Sequence, residues 1–243
     1  MNTAIQAITL EGLALAFLPA AVVIGIMIRW SAGAKTATYA SLRMLIQLLL
    51  IGYVLVYIFE AERAEIIVAV LLLMLAMASW IAIRPVKKKR PHVFRNALLA
   101  ISVAGILVLA LVSQIVIGVD PWFSPQYVVP LAGMIFAGAM NAVSLAAERL
   151  QAETERGTPS LEARRISLQA SLIPIINSLF AVGVVALPGM MTGQILSGVS
   201  PLVAAKYQIV VMSMLFGVSG ISAALYLVLQ GRSTTYPDAT TSR

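Results

Sequence analysis

Seven separate apolar runs, each close to the roughly 20 residues that cross a bilayer, interrupt this chain and leave it little freedom in how to fold. They fall near 10–28, 39–59, 66–83, 97–117, 128–146, 168–187 and 207–229. In hydrocarbon each backbone N–H and C=O must be satisfied without water, and a helix does this within its own segment. A soluble fold fails on surface: 60% of the 243 residues are hydrophobic, 11% are charged, and mean hydropathy is +0.94. A soluble domain of that size has too little interior to hide so much apolar area. The expectation is an all-α, polytopic membrane helix bundle of about seven transmembrane helices. It forms a single transmembrane domain over 1–230, followed by a disordered polar tail at 231–243.

The connections sort by charge. One set carries Arg29, Lys35, Arg84, the Lys87–Arg90 cluster, Arg95, Arg149, Arg156, Arg164, Arg165, Arg232 and Arg243. The other holds only Arg63 and Lys206, beside Glu60, Glu62, Glu65 and Asp120. Basic residues stay on the cytoplasmic side, so the N-terminus is expected outside and the C-terminus inside. Trp122, Phe123 and Tyr127 then sit at the outer interface, where amphipathic rings belong. The net charge of +7 is explained by topology, and no nucleic-acid partner is expected. Nothing basic precedes the first run and Arg29 follows it, which does not fit a cleaved secretory signal.

Few residues can carry chemistry. The chain has no cysteine and one histidine, His92, in a basic loop. No histidine or thiolate metal cluster and no Ser/His/Asp set can be assembled from it. Gly33-Ala34-Lys35-Thr36 lacks the Gly-Lys pair and upstream glycine of a phosphate loop. No catalytic residue, cofactor or metal site is therefore expected. Met190 and Met191 are adjacent, point to different helix faces, and read as packing.

Polar residues inside spans are the candidates for a pathway. Arg43 and Gln47 lie one turn apart on the second span. An intramembrane Arg is functional by default unless it snorkels to the headgroups, and both readings stay open. Asn141 and Ser144 project from the fifth span, and Asn177 and Ser178 from the sixth. For the two asparagines, interhelical hydrogen bonding and pathway lining are both open. The small residues Gly133, Ala137, Gly138, Ala142 and Ala146 recur at four-residue spacing and let helices approach closely, which is ordinary packing.

Between the fifth and sixth spans the chain becomes abruptly charged, over 147–167. Gly157-Thr158-Pro159 punctuates this elbow. Gly157 suits a left-handed helix end, Thr158 the cap of a new helix, and Pro159 its first turn. Glu162 complements the new N-terminus. The expectation is that a membrane helix stops here and a second short helix begins before the chain re-enters the bilayer. After it, Leu187-Pro188-Gly189 is expected to end a helix, Ser200-Pro201 to start another, and the stretch between to form a short outer-leaflet helix.

The words MNAVSLAAERL (140–150) and SLIPIINSLFAVGVVALPGMMTGQILSGVSPLVAAKYQIVVM (171–212) resemble the FetB/YbbM-like ABC transporter permease family. That family includes bacterial iron-export permeases and plant STAR/ALS-type aluminium-tolerance proteins. The likeness is densest in the C-terminal half. It implies the permease subunit of an ABC exporter of a metal or metal complex in the bacterial inner membrane, a homodimer driven by a separate ATPase subunit. It also implies that the elbow is the coupling element. Here that falls on Gly157, Thr158 and Pro159, with Leu161, Glu162 and Arg165 on the helix that follows. Two places depart from the pattern: Ala137-Gly138 stands where Gly-Asn is common, and Glu155-Arg156-Gly157-Thr158-Pro159 stands where Leu-Gly-Ala-Thr-Pro is usual. No Asp or Glu lies within a span core, so a hydrated, chelated or anionic cargo is easier to accommodate than bare Fe²⁺. Two other classes compete with this reading: an ATPase-independent channel or carrier, and a membrane scaffold that recruits a soluble protein.

Overall fold

The computed structural model describes residues 9–59, 63–86 and 91–234. The basic cluster at 87–90, Glu60, Glu62 and the tail beyond 234 lie outside the described residues. The chain divides into two units, Met1–Glu60 and Ala61–Arg243.

The first unit is a hairpin of three helices. α1 (Leu10–Ala16) and α2 (Leu18–Arg29) are separated by one residue, and α3 (Ala34–Phe59) returns alongside α2. Thr9 caps α1, its hydroxyl oxygen accepting from the Gly12 N–H at 3.1 Å. Pro19 falls in the first turn of α2, where it has no amide to offer the preceding turn, so the helix restarts at Phe17. Ser31 and Gly33, both at positive φ, make the reversal into α3.

The second unit is built around α6. It contains α4 (Ala64–Ala82), α5 (Pro91–Ala110), α6 (Pro125–Glu155), α7 (Ser160–Ala181), α8 (Gly189–Leu196) and α9 (Pro201–Thr234). α5 widens into a π-helical segment, Leu111–Ile117, which Gly118 ends in the left-handed conformation. α6 packs against α4, α5, α7 and α9, and buries Ala132, Ala139, Ala142, Ala146 and Ala147. Small side chains are what allow this central position. At Gly138 a Cβ would stand 3.2 Å from Leu215 on α9, and Ser219 donates its hydroxyl to the Gly138 carbonyl at 3.4 Å. The Gly138, Ala142 and Ala146 part of the small-residue stripe is therefore a packing face, as its spacing predicts, while Ala137 is exposed beside Asn141.

A close approach against a buried ring is at Gly105 on α5, where a Cβ would lie 2.7 Å from the Phe136 ring. Phe136 is buried and cannot withdraw. Gly105→Val is expected to force α5 and α6 apart at a cost of about 1–3 kcal/mol. A thermal unfolding series in detergent checks this as a lowered midpoint with unchanged helix content in the folded state.

Among the described residues, six helices are long and apolar enough to cross a membrane: Leu10–Arg29, Ala34–Phe59, Ala64–Ala82, Pro91–Ile117, Pro125–Glu155 and Pro201–Gly231. The run at 168–187 is not among them. Its helix, α7, begins in the charged elbow and stops at Ala181, where Gly183 turns left-handed and Val182 bridges to Ala186. Leu187-Pro188-Gly189 thus does not end that helix; Pro188 precedes α8 instead. The short helix expected between Pro188 and Ser200 is present as α8, and Ser200 precedes α9 as the pattern suggests. α9 continues to Thr234, past residue 231 where the sequence suggests a polar tail.

Candidate functional site

The elbow joins two long helices, each with one internal proline, Pro130 in α6 and Pro174 in α7. α6 runs unbroken from the bundle to Glu155, and α7 runs unbroken from Ser160 back into it. The second short helix expected from sequence is therefore the first turns of α7, with no break between elbow and bundle. Gly157 adopts φ +80°, the left-handed turn its position predicts. The N–H of Gly157 donates to Thr154 and that of Thr158 to Glu153, which closes the α6 end with carbonyls that would otherwise be orphaned. Pro159 occupies the position just before α7.

Thr158 does not cap α7. That helix has no side-chain cap, and the Thr158 hydroxyl turns back to donate to Glu153 Oε2 at 2.8 Å. The physical reason is the stronger acceptor. Glu153 is a carboxylate, and it is also bridged by Arg149 at 2.8 Å and Arg156 at 3.1 Å. Glu153 is only 5% exposed. The Thr158 hydroxyl foremost, with the charges of Arg149 and Arg156 and the Arg156 hydrogen bond, holds its carboxyl below the ordinary value of 4.5 against the effect of burial. Glu153 is the anchor of the elbow, and the motif reading passed over it. The signal was in the spacing: Arg149 four residues before and Arg156 three after place both guanidiniums on its face of the helix.

Beyond the anchor, the start of α7 is open. Leu161 is 81% exposed, and Arg165 is exposed and bridges the half-buried Glu162 at 3.0 Å. Beneath the elbow, a cavity of about 450 Å³ is lined by His92, Gln151, Ser160, Arg164 and Tyr226 among others. Arg164 lays its guanidinium closely over Gly231 of α9, so a side chain there would have to displace it.

Between α6, α7 and α9 lies a second cavity, of about 370 Å³. Asn141 and Ser178 both line it, with Ser171, Ser219 and Met134. The structure thus brings together one polar candidate from each side of the elbow. Ser144 and Asn177 do not line it: Ser144 is half-buried elsewhere on α6, and Asn177 faces outward from α7. Arg43 and Gln47 lie one turn apart on α3 in the first unit, Arg43 half-buried and Gln47 exposed. Within the cavity the lining offers an amide, hydroxyls and thioether, with neither carboxylate nor imidazole. Pro174 lines it too, and the Ser178 hydroxyl takes up the Pro174 carbonyl at 3.0 Å.

Several similar proteins are named as membrane proteins or permeases. The family model described as an uncharacterised protein family, UPF0014, matches residues 10–234. The UPF0014 membrane protein slr1647 of Synechocystis sp. is 34% identical over 189 residues, covering 72% of this chain and 73% of its own. The probable iron export permease protein FetB of Escherichia coli is 34% identical over 246 positions, covering 93% of this chain and 92% of its own. The UPF0014 membrane protein STAR2 of Oryza sativa is 34% identical over 204 residues, covering 77% and 70%. No solved structure matches. The apolar helices and the bacterial membrane relatives make this an integral inner-membrane protein. By the match along nearly its whole length, the chain belongs to the UPF0014 family of membrane proteins.

Proposed function

We propose that this chain is the permease subunit of an ABC-type exporter. It works as a homodimer, and a separate ATPase subunit docks on the elbow at 147–167. The observation that carries the reading is mechanical: the helices that meet at the elbow, α6 and α7, are the same two that flank the Asn141–Ser178 cavity. Both are continuous between the two places, and the elbow is locked by Glu153. A push on the elbow therefore reaches the cavity wall through the uninterrupted 134–155 stretch of α6, the stiff lever that coupling to ATP requires, while Pro174 gives α7 a bending point at the cavity itself. The elbow lies on the cytoplasmic side and the N-terminus outside, in keeping with the loop charges.

The bacterial relative FetB, named as a probable iron export permease, supports metal as the cargo's element. The cavity chemistry bears on its form. Amide and hydroxyl groups suit a hydrated, chelated or anionic complex, whereas bare Fe²⁺ prefers carboxylate or imidazole. The pair of copies is supported by α7. Asn177 is exposed there beside Ile173, Ile176 and Phe180, and an amide facing lipid is expensive. A second copy covering that face relieves the cost.

Reconstituted with its ATPase in liposomes, the permease should transport a metal complex or metal-bearing anion better than the free ion. Asn141→Leu should lower transport about tenfold through the loss of one hydrogen bond to cargo, with ATPase recovered per permease unchanged. Strong transport of free Fe²⁺ that survives Asn141→Leu would contradict the reading.

A further inference from the structure

At the end of the bundle away from the elbow lies a larger cavity, about 510 Å³, between the π-helical end of α5, α6, α8 and α9. Its chemistry differs from that of the Asn141 cavity. The wall is mainly apolar, including Met190 on α8 and Val210 on α9, with polar groups at a few points: Tyr127, Tyr207, Gln126 and Gln194. A mostly apolar wall with a few convergent polar groups, in the range of about 300–1,000 Å³, is the usual form of an organic-ligand site.

Two further observations point to a ligand. The Gln194 side-chain oxygen Oε1 is buried with no hydrogen-bond partner among the described residues. A buried unpaired amide oxygen is a standing free-energy cost that a donor on a ligand would remove. Gln194 sits on α8, a short helix held between two left-handed glycines, Gly183 at φ +82° and Gly198 at φ +91°. The second observation is Met134. It lines both this cavity and the Asn141 cavity, so one flexible thioether side chain stands where the two meet.

We propose that the cavity under α8 binds an organic molecule that is mainly apolar and carries a hydrogen-bond donor for Gln194, and that Met134 separates it from the Asn141 cavity. The ligand's apolar body fills the wall between Met190 and Val210, while its donor takes the free Gln194 oxygen. If the permease reading holds, this is where an exported complex with an organic periphery rests before release. The binding itself does not depend on that reading. A naked cation finds neither carboxylate nor imidazole here.

The test is photolabelling of the purified full chain in detergent with a diazirine-bearing aniline, an apolar ring with an N–H donor. Labelling should saturate and map to peptides containing α8 and the start of α9. Met134→Trp, which fills the meeting point, and Val210→Phe, which fills the wall from α9, should each abolish the saturable part. Gln194→Leu, which leaves the volume nearly unchanged, should raise the half-saturating concentration about tenfold. Labelling that rises linearly without saturating would overturn the proposal. So would saturable labelling indifferent to Gln194→Leu and to whichever filling variants fold, or labelling displaced equally by bilayer phospholipid, which would make the space a lipid berth. None of these readouts uses ATP. Saturable labelling from a chain that recruits no ATPase would remove the permease function and leave this site standing.

Discussion

Gly157→Val is expected to leave the protein in the membrane at normal levels and to abolish both ATPase recovery and transport. Gly157 holds φ +80° with open space around it, so the problem for valine is the backbone and not crowding. A left-handed conformation costs an L-residue about 1–2 kcal/mol, and a β-branched side chain is a poor tenant there. The strain is relieved only by redirecting the chain between Glu155 and Ser160. That swings the start of α7, with Leu161, Glu162 and Arg165, away from its present position. No apolar packing in the bundle is touched, so insertion and dimerisation survive. Membrane abundance of the permease and ATPase recovered per permease are the paired measurements.

Glu153→Leu should be as damaging, by a different route. It removes the acceptor of the Thr158 hydroxyl and leaves Arg149 and Arg156 facing each other without their shared carboxylate. Glu153 is the buried member of this cluster, and with it go the charge-assisted bonds that tie Thr158 and the two more exposed arginines to the end of α6. Glu153→Gln should be milder, since an amide oxygen still accepts from Thr158. The same contacts set a pH dependence. The folded carboxyl titrates below its unfolded value, so its stabilisation is complete above the ordinary carboxylate range and is lost as pH falls through the lowered value. Hydrogen exchange at the amides of Gly157 and Thr158, corrected for intrinsic rates, should accelerate in that acid window in the wild type. In Glu153→Leu it should already be fast at neutral pH. Thr158→Ala should show part of the same loosening, through Glu153 and not through any capping of α7.

The helical membrane bundle was legible in the sequence because hydrocarbon permits so few alternatives. The run lengths and loop charges announce spans before any contact is considered. Gly157 was legible for a similar reason, since a glycine between a charged helix end and Thr-Pro has few other uses. Thr158 was misread because capping is a local rule, and the rule knows nothing of a carboxylate five residues back with two arginines already on it. The bounds of the run at 168–187 differ from those of its helix, Ser160–Ala181, because apolar composition counts residues without asking where a helix can continue. Gly183 turns the chain at its end, and a charged N-terminal half fills the helix before it. Asn141 and Ser178 were each picked out as polar residues in apolar helices, but their meeting in one cavity depends on how α6 and α7 cross. Asn177, one residue from Ser178, shows how little separates a lining residue from an outward one: about 100° of helix rotation per residue.

The chain contains no cysteine, so a single one placed at Leu161 reports only on its own surroundings. Leu161→Cys permease in native membranes, treated with a short crosslinker that joins a maleimide to a diazirine and with a photoreactive ATP analogue, measures directly what touches the open start of α7, since the diazirine inserts into any neighbouring side chain. The expected product is a crosslinked pair of permease and a second protein that carries the nucleotide label. The adduct should be absent when the cysteine is moved to Ile173, well along α7 from the elbow. A Leu161→Cys permease that yields no nucleotide-labelled adduct, or yields it equally from Ile173→Cys, would contradict an ATPase docked on this elbow.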